Sequence, residues 1–83
     1  MKHEKRSHPL GPWLFYQAEF IKMRDDIGHY MKLMFVRRDG KPNKDYQMVY
    51  VWAPNTVVAV RHILFSGEED LSKFNDAVIP RRE

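Results

Sequence analysis

Cysteine is absent, which removes disulfide stapling, thiolate metal sites and a cysteine nucleophile together. The 4 glycines are isolated from one another, so no glycine-rich phosphate loop exists. No apolar run approaches the roughly 18 residues needed to cross a bilayer. The basic residues near the start lead into no apolar stretch, so a secretory leader is not expected either. A cytoplasmic, reducing setting suits such a composition. Charge is only mildly one-signed, at +3.

What remains is enough for one small folded domain. The chain has 83 residues, is 43% hydrophobic and carries 5 Phe, 4 Tyr and 2 Trp. Residues 1–11 are polar and basic, lack periodicity and end in Pro and Gly, so a flexible tail is expected there, followed by a single α+β domain over 12–83. His3 and His8 lie in that tail without further ligands at matched spacing. No metal or cofactor is implied.

The best-defined feature is a β-hairpin from Tyr30 to Trp52. Two segments rich in β-branched and aromatic residues, 30–36 and 46–52, flank a loop from Arg37 to Asp45 that holds Asp39-Gly40 and Pro42-Asn43. Alternation puts Met31, Leu33 and Phe35 on one face with Val49, Val51 and Ala53, which makes an aliphatic core face. Tyr30, Lys32, Met34 and Arg38, with Tyr46, Met48, Tyr50 and Trp52, fall on the other.

The flanking segments admit two readings. Residues 13–23 read narrowly as a strand, with Asp25-Asp26-Ile27-Gly28 turning into the hairpin. The alternative is a helix over 12–27 carrying Trp13, Tyr16, Phe20, Met23 and Ile27 on one stripe. Residues 56–65 lean to a strand because of their three valines, threonine and isoleucine, although Asn55 is a good helix N-cap. Ser66-Gly67-Glu68-Glu69 resembles a capping box opening a helix over 67–79 that presents Leu71, Phe74 and Val78. The expected fold is therefore an antiparallel three- to four-stranded meander with a C-terminal helix packed on one face.

Catalytic chemistry is poorly represented. The carboxylates of Asp25-Asp26 and Glu68-Glu69-Asp70 are accounted for by turn and cap chemistry, and His29 and His62 have no assignable partners. A non-enzymatic binding protein is expected. Rings at Tyr30, Tyr46, Tyr50 and Trp52 offer stacking platforms, and Lys32, Arg37, Arg38, Lys41 and Lys44 supply cations for a phosphate backbone. Single-stranded nucleic acid is the leading partner. The competing reading packs these rings under the helix or into a homodimer. A third makes the chain a protein-interaction module, such as a small host- or phage-derived inhibitor or adaptor acting on a larger host protein.

Overall fold

The computed structural model describes residues 11–80. The tail reading for 1–11 lies outside the described residues, Gly11 apart. Strands β1 (Trp13–Arg24), β2 (Gly28–Arg37) and β3 (Tyr46–Ala53) form an antiparallel meander. Helix α1 (Thr56–Leu64) follows, then a 3-10 turn (Leu71–Phe74) and a two-residue strand, β4 (Ala77–Val78). The sheet order is β1-β2-β3-β4, and β4 lies parallel to β3. The fold is a small α+β sheet-and-helix arrangement with a mixed sheet.

Alternation decides the core. Met31, Leu33, Phe35, Val49, Val51 and Ala53 are all fully buried, as their common face predicts. Val58, Ala59 and Ile63 of α1 cover them, and Leu71 and Ile79 complete the cluster. Each large buried side chain contributes about 1.5–3 kcal/mol through area removed from water. Trp13 seals one end, its indole N–H donating to the Glu69 carbonyl at 3.2 Å.

Residues 13–23 are strand, not the alternative helix over 12–27. The turn into β2 closes with the Ile27 amide donating to the Arg24 carbonyl, and Gly28 takes a φ of +118°. A Cβ there would stand 2.4 Å from the Ala53 carbonyl oxygen, so only glycine fits beside β3.

Three expectations need correction. Residues 56–65 form a helix rather than a strand, because the Asn55 side chain caps it, accepting from the Val58 amide at 2.9 Å. An open sheet face needs a covering layer, and that demand outweighs the β-propensity of the valines. The buried stripe is Val58, Ala59 and Ile63, while Val57 is exposed.

The helix expected over 67–79 does not form. Ser66 closes α1 instead of opening a new helix: its hydroxyl donates to the Ile63 carbonyl at 2.8 Å and accepts from the Glu68 amide at 3.1 Å. Gly67, at φ +79°, carries the chain away from the helix end. Asp70 then caps only the 3-10 turn, and the Ser72 hydroxyl at 2.6 Å holds its carboxyl below the usual carboxylate range. Asp76, at φ +65°, ends any helical path and delivers Ala77–Val78 alongside β3. The strictly antiparallel meander is corrected at the same place, since a strand reached through that crossover arrives parallel.

Candidate nucleic-acid interface

The helix and the core occupy one side of the sheet. Register places Tyr30 opposite Trp52, Lys32 opposite Tyr50 and Met34 opposite Met48 on the other side. Among the described residues no helix covers this outer face. Tyr30, Tyr50 and Trp52 are half-buried, chiefly against one another and their neighbours on the sheet. The Tyr30 ring lies 5.0 Å from Trp52 and 6.3 Å from Tyr50, tilted by 36° and 30°. These separations are those of favourable aromatic pairs.

Two cations from β1 complete the cluster. The Lys22 ammonium stands 5.8 Å from the Tyr30 centroid and 5.9 Å from that of Trp52, and the Arg24 guanidinium stands 5.8 Å from Trp52. Arg24 also pairs with Asp26 at 2.9 Å, and Lys32 pairs with Glu19 at 3.2 Å. The Tyr30 hydroxyl donates to the Asp76 carboxylate at 2.6 Å. That hydrogen bond, more than any other influence, raises the Tyr30 pKa, because ionisation would set two anions face to face.

Strict alternation from Glu19 would turn Lys22 to the helix side. A β-bulge between Phe20 and Lys22 inserts Ile21 and sends Lys22 to the outer face opposite Tyr30. A second bulge, between Phe15 and Gln17, keeps Gln17 and Glu19 on that face as well. Lys22, Arg24 and Asp76 are thus the residues that sequence reasoning missed. A bulge leaves no plain mark in residue type, and Asp76 joins the site only through the chain's return to β3.

The expected site residues divide into two groups. Tyr30, Lys32, Tyr50 and Trp52 come together. Tyr46 is exposed at the opposite end of β3, beside the loop that carries Lys41 and Lys44, which are also exposed. The six residue steps along β2 from Tyr30 to Val36, the partner of Tyr46, span about 20 Å. Arg37 turns to the helix side, its guanidinium 5.3 Å from the Trp13 ring centroid. Arg38 is tied to the start of the described chain, its amide donating to the Pro12 carbonyl at 2.7 Å and its side chain to the Gly11 carbonyl. Neither arginine joins the rings.

The outer face is a platform rather than a pocket. Between Gln17, Glu19, Lys32, Met34 and Met48 lies a shallow concavity of about 60 Å³, well below the ~300 Å³ or more that encloses a small molecule. Among the described residues no group of three or more metal-binding side chains occurs, and no helix is long and apolar enough to cross a membrane. No family model matches the chain, and no curated protein or solved structure shows significant similarity to it.

Proposed function

We propose that this protein is a non-enzymatic module that binds single-stranded nucleic acid on the outer face of its sheet. The carrying observation is the cluster of Tyr30, Tyr50 and Trp52 on the uncovered face, with Lys22 and Arg24 directly above the rings. Bases stack on the rings, displacing the stems of Lys22 and Arg24, whose charged ends then lie beside the phosphates. Lys32 adds a third cation. Tyr46, Lys41 and Lys44, about 20 Å along the sheet, receive the strand as it leaves. The cysteine-free composition suits action in the cytoplasm.

A fluorescence-anisotropy titration with labelled single-stranded DNA and RNA at low salt tests this reading. Saturable binding that weakens as salt rises supports it, and an unchanged signal at tens of micromolar protein rejects it.

A protein-binding role is the second reading, favoured by a separate observation. A groove of about 400 Å³ between α1 and β1 is lined by Phe15, Val57, Val60, Leu64 and Phe65, and both Val57 and Phe65 are 61% exposed. Partner capture there would be insensitive to salt and lost in Phe65→Ala, with Trp52→Ala neutral.

A further inference from the structure

Strand β1 stands at the edge of the sheet, and among the described residues nothing pairs with its outer side. It is 12 residues long, and Phe20, Ile21 and Met23 are exposed by 59%, 46% and 60%. A long, apolar free edge is the kind of strand that recruits another. Its sequence says which.

We propose that β1 is the seam of a homodimer, in which residues 17–24 of two copies pair antiparallel about a two-fold axis between Phe20 and Ile21. In this register Glu19 faces Lys22 of the partner, Gln17 faces Arg24, Ala18 faces Met23 and Phe20 faces Ile21. An isologous interface repeats each contact twice. The bulge described above makes the register consistent with both faces. Glu19 and Lys22 lie on the outer side, opposite Lys32 and Tyr30 of their own sheet, so they meet as opposite charges. Ala18, Phe20 and Met23 lie on the helix side, opposite Leu33, Met31 and His29, so the apolar residues meet one another. Phe20 already stacks on His29 at 4.8 Å, which presents its ring as a fixed surface.

Moving the pairing sum by one sets Lys22 against Phe20 or Ala18, and lowering it by two sets Glu19 against Phe20, which mixes the two faces. Raising it by two keeps Glu19 opposite a cation, Arg24, but sets Lys22 against Ile21 and shortens the paired segment to 19–24. The bulge at Ile21 falls on the two-fold axis, where the two copies' extra residues face each other's Phe20 instead of interrupting the ladder. The bulge at Tyr16 marks the end of the paired segment. The dimer rests on the strand edge rather than on nucleic-acid binding, although Lys22 serves in both.

Sedimentation equilibrium on the full chain, across the micromolar range, tests the seam. Wild type is expected at twice its 10.0 kDa mass. Glu19→Lys and Lys22→Glu each place like charges across the axis and shift the mass toward the monomer. Combining the two swaps in one chain restores opposite pairs and returns the dimer. Monomeric wild type at several hundred micromolar overturns the proposal, as does a dimer that tolerates either single swap, or a double swap that stays monomeric. Because the native chain has no cysteine, Ala18→Cys with Met23→Cys gives a charge-independent readout. Mild oxidation is expected to yield a covalent dimer, and a product that remains a single chain rejects the register.

Discussion

Replacing Trp52 by alanine separates the roles of ring and charge on the outer face. Trp52 contacts Tyr30 at 5.0 Å and lies beneath Lys22 and Arg24, so its truncation removes one stacking platform and leaves all three cations in place. Stacking on an aromatic side chain is worth ~1–3 kcal/mol per base. Since about 1.4 kcal/mol is tenfold, Kd for single-stranded DNA should rise roughly 5- to 150-fold. The salt response should stay as it was. Lys22, Arg24 and Lys32, with Lys41 and Lys44 farther along the strand, set a ceiling of about −3.5 on the slope of log K against log salt for a single strand, which amounts to roughly 130-fold between 50 and 200 mM. The ceiling is not fully reached, because Arg24 and Lys32 already neutralise Asp26 and Glu19. Lys22→Ala should flatten that slope by about 0.7 with a smaller change in affinity. Anisotropy titrations at four salt concentrations measure both quantities, and far-UV circular dichroism confirms that each variant is folded. Trp52 is half-buried, so its loss costs less stability than the ~3–5 kcal/mol of a fully buried tryptophan. A folded Trp52→Ala protein with unchanged Kd, or with a flattened slope, would refute the division of labour between rings and cations.

Other perturbations test the fold that holds the site. Gly28→Ala forces a side chain onto a φ of +118° and against the Ala53 carbonyl; the strain alone costs ~1–3 kcal/mol, measurable as a lower urea midpoint, and an unchanged midpoint contradicts the close approach. Asn55→Ala removes the cap of α1 and should cost about 1 kcal/mol, lowering Tm by roughly 4–8 °C in a scanning experiment. Tyr30 responds to alkali. Its folded pKa lies above the ordinary 10.0, so the stability from its bond to Asp76 is complete below pH 10 and lost as pH rises through the elevated value. Urea midpoints at pH 8 and pH 11 should therefore fall further for wild type than for Tyr30→Phe, and equal falls would show that the hydroxyl bond contributes nothing.

The hairpin was legible because its two strands obey a period of two without interruption: Met31, Leu33, Phe35, Val49, Val51 and Ala53 are the core that alternation names. The strand over 13–23 was legible in type but not in facing, since two bulges change its parity and move Lys22 among the rings. Beyond Ala53 local signals conflicted. Asn55 outweighed a run of β-branched residues, and Ser66, which resembles an N-cap, ends a helix instead. Of the expected site, Tyr30, Lys32, Tyr50 and Trp52 assemble, while Arg37 and Arg38 depart because the strand's last residues meet Trp13 and Pro12. Such contacts depend on the path of the whole chain, which no local pattern reports.

The short strand β4 carries a kinetic consequence. The meander from Trp13 to Ala53 pairs neighbours in sequence, and such contacts close small loops at low entropic cost. Two of the side-chain bonds that secure the C-terminal segment span far more chain, Trp13 to Glu69 across 56 residues and Tyr30 to Asp76 across 46, although its backbone bonds to Tyr50 and Trp52 are closer in sequence. Docking of residues 69–79 is therefore expected late in folding, after the meander has formed. Substitutions at Ile79 should accelerate unfolding and leave the folding rate almost unchanged, whereas those at Phe35 should slow folding. The clasp on Tyr30 is then set only at the end, so any intermediate that lacks it presents the rings without Asp76, whose negative charge opposes a phosphate. On the proposed reading, a chain that lacks this clasp should bind a single strand more tightly than the finished one.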